Sequence, residues 1–172
     1  MLGRIIICIT SSVDEGVIDH IKEKVAQVFH VDVVKGQNIL IDKKAYDRDR
    51  EQYLTYPIFQ DLDEIKRRPH DLLLAVVDVD LFIPELDYIF GQAKSKLKIA
   101  MISIKRLDPA FLGEKDKELL KERTLKESIH EIGHLLGSKH CPNRNCVMHF
   151  SNCLEDTDRK GFGFCTGCEM RL

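Results

Sequence analysis

His130-Glu131-Ile132-Gly133-His134-Leu135-Leu136-Gly137-Ser138-Lys139-His140 is the stretch from which the rest of the chain is read. On a helix, positions four apart share a face, so His130 and His134 can offer two imidazoles to one ion while Glu131, one step round, stands beside it. Gly137 suits the left-handed conformation that closes a helix and turns the chain back, which brings His140 to the same point from another direction. Three nitrogen ligands leave a fourth position for water, the arrangement of a catalytic rather than a structural zinc. Zinc lowers the pKa of such a water to about 7, and Glu131 is placed to take its proton and later pass it to a leaving amine. The chemistry implied is metal-assisted hydrolysis of a peptide bond. A bare His-Glu-x-x-His also arises on amphipathic surface helices, but Gly137 and His140 must each match independently, and together they favour the metal site.

A second set of ligands begins one residue later. Cys141 and Cys146 form Cys-x4-Cys, and Cys165 and Cys168 form Cys-x2-Cys. Such spacings suit thiolates converging from two tight turns on a tetrahedral zinc, and four sulfurs leave no place for water, so this site reads as structural. Gly161, Gly163 and Gly167 fit a knuckle that bends sharply toward the metal. Because His140 and Cys141 adjoin, the second ion anchors the loop carrying the third ligand of the first. Two disulfides or plain buried thiols are the alternatives; residues 1–10 lack the features of a secretory leader, which argues against disulfides. Cys153 offers itself as a replacement for one of the four, and Cys8 reads as a small core hydrophobe.

Composition excludes several classes. With 172 residues, 44% hydrophobic, 31% charged and a net charge of -2, the chain has the size and balance of one globular enzyme domain, with no bias toward nucleic acid. The basic clusters Lys43-Lys44, Lys66-Arg67-Arg68 and the lysines of 94–98 are interrupted by apolar or acidic residues and read as solvated faces. Trp is absent and Tyr and Phe are scattered, so no aromatic platform for single strands is present. Ile5-Ile6-Ile7-Cys8-Ile9 is too short to span a membrane. The expectation is a cytoplasmic monomer with a peptide or protein substrate and neither nucleic acid nor membrane as partner.

Periodicity supplies the framework. Residues 4–9 read as a strand and 15–29 as a helix with its apolar stripe at Val17, Ile18, Ile21, Val25, Val28 and Phe29. Residues 31–34 and 39–41 read as extended pieces, 46–56 as a surface loop, and 57–68 as a helix opened by Pro57. Leu72-Leu73-Leu74-Ala75-Val76-Val77 has the form of a strand buried on both faces, and 86–90 and 98–104 read as further strands. Residues 114–137 read as helical, broken near Arg123-Thr124, where Thr124 and Glu127 have the spacing of a capping box. The run Glu155-Asp156-Thr157-Asp158-Arg159-Lys160 reads as a solvated turn. His20, His30, His70 and His149 lack ligand spacing.

Cys146-Val147-Met148-His149-Phe150, taken with the histidine motif, the abutting Cys-x4-Cys and the terminal Cys-x2-Cys, resembles the archaemetzincins, a branch of the metzincin metallopeptidases. Weaker likeness extends upstream to Phe90-Gly91-Gln92-Ala93 and Ser103-Ile104-Lys105-Arg106-Leu107, similar to the family's upper-rim strands. The resemblance implies an α/β fold with a mixed, mostly parallel twisted sheet, an active-site helix and a small zinc-stabilised C-terminal part. It implies one metallopeptidase domain over 1–172, divided into 1–137 with the active-site helix and 138–172 with the third histidine, the methionine turn and the four cysteines. It also implies two zinc ions per chain: His130, His134 and His140 for the catalytic ion with Glu131 as base, and Cys141, Cys146, Cys165 and Cys168 for the structural one. Met148 matches the methionine that floors the metal site, and the segment 88–93 matches the edge strand that pairs with substrate. Two other readings keep the motifs: a non-catalytic two-zinc binding or regulatory module with a blocked site, and a hydrolase of non-peptide amides.

Overall fold

The structure, a computed structural model, describes residues 3–65, 68 and 70–172. In chain order it comprises β1 (Ile5–Thr10), α1 (Glu15–Phe29), β2 (Val33–Ile39), a 3-10 turn (Lys43–Ala45), β3 (Tyr46–Asp47), β4 (Gln52–Leu54), α2 (Thr55–Ile65), β5 (Leu72–Val77), β6 (Leu81–Ile83), β7 (Leu86–Ile89), β8 (Gly91–Lys94) and β9 (Ile99–Ser103). A second 3-10 turn (Pro109–Leu112), then α3 (Lys117–Leu135), α4 (Leu154–Arg159) and α5 (Thr166–Glu169) complete it.

Five strands form the main sheet in the order β2-β1-β5-β9-β8. The first four are mutually parallel and β8 runs antiparallel to β9 at the edge. Strand alternation divides the core between the two faces of this sheet. Ile5, Ile7 and Ile9, Leu72, Leu74 and Val76, and Ala100 and Ile102 face α1 and α3. Cys8, Leu73, Ala75, Val77, Ile99 and Met101 face α2 through Ile58, Phe59 and Leu62. This is a three-layer α/β arrangement, and continuous apolar runs such as β5 are what burial on both faces demands.

A second sheet, β3-β4-β6-β7, corrects the reading of 46–56 as a loop. Its strands are two to four residues long, too short for a periodic signal. Side chains hold it instead: Arg50 donates to the Leu86 and Asp87 carbonyls at 3.1 and 2.9 Å, and Gln52 donates to Asp80 and to the Asp87 carbonyl. Segments 31–34 and 39–41, expected as separate pieces, are bridged by the single strand β2. Helix α2 begins two residues before Pro57 and ends at Ile65, and Arg68 is not helical; Lys66 and Arg67 lie outside the described residues.

Helix α3 is unbroken, capped by the Asp116 side chain, which accepts from the Leu119 N–H at 2.9 Å. The expected capping box at Thr124 does not form. Thr124 donates its hydroxyl back to the Leu120 carbonyl at 2.6 Å, and Glu127, 3% exposed, pairs with Lys160 instead. Nor is the run 155–160 a solvated turn. It folds as α4, which packs on α3 with Thr157 and Lys160 buried. Arg123 donates two hydrogen bonds of 2.7 Å to Asp158, and Lys126 donates to the Asp158 carbonyl. Residues 123, 126, 127 and 130 share one helical face, so α3 presents a charged face to α4 and an apolar one, Leu125, Ile129 and Ile132, to the sheet side. Among the described residues no helix is long and apolar enough to cross a membrane.

Lys160 is 1% exposed, its ammonium 2.9 Å from Glu127. Removing one member of a buried pair strands the other's charge, which costs about 3–5 kcal/mol, whereas replacing both is far milder. Lys160→Met is therefore expected to lower the melting temperature by roughly 2–4 °C per kcal/mol lost, and Glu127→Gln added to Lys160→Met to restore a good part of it. Thermal melts of the three proteins check this, and a double variant no better than the single one would show that the charge pair is not the stabilising element.

Candidate active site

The C-terminal half of α3 carries His130, Glu131 and His134, and its end is closed by two backbone bonds: the Ser138 N–H donates to the Gly133 carbonyl at 2.9 Å and the Gly137 N–H to the His134 carbonyl at 3.1 Å. This double bond pattern needs a left-handed residue just past the helix, and Gly137 has φ +95°. The chain then reverses and delivers His140. Its neighbour Cys141 is fixed twice, the N–H donating to the Met148 carbonyl at 2.9 Å and the carbonyl lying 3.0 Å from His149 Nδ1.

The three imidazoles meet. Their ligand nitrogens lie within 4.8 Å of one another. His130 Nδ1 is 2.8 Å from the Val147 carbonyl and His134 Nδ1 is 2.7 Å from the Ser138 carbonyl. A carbonyl only accepts, so each Nδ1 carries the proton and each Nε2 presents a bare lone pair. Those two Nε2 atoms are 3.1 Å apart. Lone pairs held so close repel unless a cation lies between them, and a tetrahedral zinc with ligands at about 2.0–2.1 Å sets its nitrogens roughly 3.3 Å apart. The donor set therefore fits zinc. Burial, above all, holds all three rings below the ordinary imidazole value, His130 at about 3.

Beneath the rings, Met148 is fully buried and lies against α3 at Gly133, where a Cβ would come within 2.6 Å of its sulfur. Glu131 is 5% exposed. Burial first, then the charge of Glu127, push it well above the usual carboxylate range against the opposing charge of Lys160. Glu127 goes the other way. Burial raises it, but the charge of Lys160 and hydrogen bonds from Lys160 and Thr157 outweigh that and hold it low. One carboxylate is thus a fixed anion and the other a proton acceptor with raised affinity, a division of roles that environment alone imposes.

A cleft of about 390 Å³ opens over these groups, reaching His130, Glu131, His134 and His140. Strand β8 and the preceding β7 form its upper wall, with the side of β8 away from β9 unpaired by any strand among the described residues. The lower wall is Phe150, whose ring centroid is 4.9 Å from that of His140, together with Ser151 and Asn152. Tyr88 crosses between the walls, its hydroxyl donating to the Asn152 carbonyl at 2.9 Å, and Arg106 lies 4.2 Å from its ring centroid.

Residues 5–172 match the profile of Peptidase family M54. The archaemetzincin of Pyrococcus abyssi is 38% identical over 179 aligned residues, covering 100% of this chain and 95% of that one. The chain belongs to the archaemetzincin family, Peptidase family M54. Among solved structures, a zinc-dependent peptidase from Methanocorpusculum labreanum superposes with a TM-score of 0.90 at 30% identity, covering 97% of this chain and 98% of that one. The archaemetzincin of Methanopyrus kandleri superposes at 0.86 with 32% identity over 99% and 93%. The chain is thus an enzyme of the zinc metallopeptidase class, with the mixed α/β fold of the archaemetzincins.

The archaemetzincin Cys-x4-Cys and Cys-x2-Cys close into one cluster, the sulfurs of Cys141, Cys146, Cys165 and Cys168 lying within 4.8 Å of one another. All six cysteines are free, which removes the disulfide alternative. Cys141 and Cys165 sulfurs are 3.8 Å apart, the separation that a tetrahedral zinc with bonds of about 2.3 Å produces. Burial pushes the Cys146 thiol up to about 12, while the Cys168 backbone N–H holds Cys165 down at about 7, so one thiolate forms readily near neutral pH. Cys153 stands outside the cluster, its thiol directed at Asp156. Gly161, Gly163 and Gly167 do not adopt left-handed φ, so the expected knuckle bends by other means.

The structure brings the three histidines together and the four paired cysteines together but leaves Cys153 outside; sequence reasoning missed Lys160 at the site and misassigned Glu127 as a capping partner. The neutral imidazole of His130 carries a pH signature. In the metal-free fold it resists protonation down to about 3, whereas the unfolded residue protonates near 6.5, so between those values the unfolded chain binds more protons. Stability of chelator-treated protein is expected to be complete above the ordinary histidine value and to fall as pH drops below it. Melting temperatures of metal-free wild type and His130→Asn from about pH 7 to pH 4 check this; the variant should show the shallower loss, and parallel curves would refute it.

Proposed function

We propose that His130, His134 and His140 hold a catalytic zinc, that Cys141, Cys146, Cys165 and Cys168 hold a structural one, and that Glu131 is the general base of peptide hydrolysis in the cleft. The observation that carries this is the pair of unprotonated Nε2 atoms 3.1 Å apart beside a buried carboxylate of raised proton affinity, all opening on one cleft. When bound to the three imidazoles, zinc supplies Lewis acidity that acidifies water and polarises a peptide carbonyl.

The protein's own groups do the rest. Val147 and Ser138 carbonyls hold the two helical imidazoles in the tautomer that leaves Nε2 free. Glu131 accepts a proton at its carboxylate and, because its affinity is raised, keeps it long enough to deliver it to the departing amine. The open side of β8 offers backbone N–H and C=O groups to an extended peptide, so strand addition orients the substrate beside Glu131. Met148 gives the site an apolar floor. The chain works as one domain of 1–172, with the cysteine cluster of 138–172 fixing the loop that bears His140.

Metal analysis of the purified chain is expected to find one zinc for each cluster, the first lost in His134→Ala and the second lost together with thermal stability in Cys168→Ala. A single ion indifferent to His134→Ala would overturn the catalytic assignment. Glu131→Gln should keep both ions and lower cleavage of an internally quenched peptide mixture by about 10²–10⁴-fold; full cleavage by that variant would remove Glu131 from its role.

A further inference from the structure

Gly91 opens β8 at the point where the edge strand passes the cleft, and its backbone does not explain why it is glycine. Its φ is not in the left-handed region, which among the described glycines only Gly113 and Gly137 adopt. It pairs regularly with Ile102 across the sheet, and any residue could take that conformation. The explanation is steric. A Cβ built at Gly91 would lie 2.8 Å from Glu131 Cγ, 2.8 Å from Oε1 and 3.0 Å from Cδ, and these are the three nearest heavy atoms. Gly137 is the opposite case, with a left-handed φ and nothing within 4 Å of its Cβ position.

We infer that Gly91 is a positioning residue for Glu131: the missing side chain is the space in which the carboxylate of the base lies against the substrate-binding edge strand. The inference rests on the reading of Glu131 as the base. Contacts under 3.0 Å force one partner to move, and here the partner able to move is the carboxylate arm rather than the sheet backbone. Glu131 is buried on a buried turn of α3 and lines the same cleft as the three imidazoles, so displacement shifts its oxygens within that cleft. A misplacement of about 1 Å at a reacting group is enough to cost about 10²-fold in rate.

The experiment is a cycle of Gly91→Ala, Glu131→Ala and the double variant. In the wild-type background Gly91→Ala is expected to retain zinc at the histidine site, measured by competition with a chromophoric chelator, and to lower kcat on an internally quenched peptide mixture by about 10–100-fold with KM little changed. The thermal arm needs no substrate. With Glu131 truncated the clash is gone, so alanine at 91 should leave the melting temperature unchanged or slightly raise it, as glycine replacement at a compatible backbone does; with Glu131 present it should lower it. Should Gly91→Ala alone fail to fold, recovery in the double variant supports the same conclusion. Equal thermal shifts in both backgrounds, or full kcat in Gly91→Ala while Glu131→Gln is inactive, would overturn it. Activity surviving in Glu131→Gln would instead sink the reading of the base.

Discussion

Helix α3 has to bury charge, and the rest of the molecule is arranged to let it. Its residues 123–133 are buried nearly without interruption, yet they include Arg123, Lys126, Glu127, His130 and Glu131. An isolated buried ion costs several kcal/mol, so each needs a partner or must change its protonation state. Both solutions appear. Arg123, Lys126 and Glu127 find partners on α4 and at Lys160, all from the C-terminal part. The histidines stay neutral, and Glu131 raises its proton affinity. The same burial that would destabilise an ordinary helix is thus what prepares this one to receive a cation and hold a proton.

The cysteine cluster and the histidine cluster are joined by two very short pieces of chain. His140 and Cys141 are neighbours, so a residue of one cluster and a residue of the other are joined by a single peptide bond. On the return path Cys146, Val147 and Met148 serve three purposes in three residues: a sulfur for the cluster, a carbonyl for His130 Nδ1, and a buried thioether against Gly133. These links are too short to absorb slack. Loosening the sulfur cluster would move the Val147 carbonyl and His140 together, so the two clusters are mechanically linked although none of the four cysteines lines the cleft.

What was legible in the sequence follows the range of the forces involved. The ligand clusters were readable because spacing on a helix and within tight turns is a local property, and β1, α1, β5 and β9 because long apolar runs decide their own burial. The small second sheet was not. Tyr46–Asp47 and Gln52–Leu54 are too short to show a period, and what pins them is Arg50 and Gln52 reaching backbone some 35 residues away. The run 155–160 misled for a related reason. Charge by itself signals solvent, and nothing local reveals that Asp158 and Lys160 have partners waiting on α3. Thr124 and Glu127 carried the spacing of a helix start inside a helix whose cap, Asp116, lay two turns earlier.

Lys160 shows why such misreadings gather at a functional site. Its ammonium reaches Glu127 and the His149 carbonyl, so one cation holds both α3 and the segment that follows Met148. It also acts at a distance on Glu131, whose proton affinity Glu127 raises and Lys160 lowers. Without that cation Glu127 would stand as an uncompensated anion four residues from Glu131, whose proton affinity would be driven higher still. A hydrophobic pair of similar volume could fill the space between α3 and α4, and replacing buried ion pairs in that way is often no loss in stability. It would leave the helix in place without the electric balance around Glu131, which is a physical reason for a buried charge pair to stand where packing alone would have served the fold.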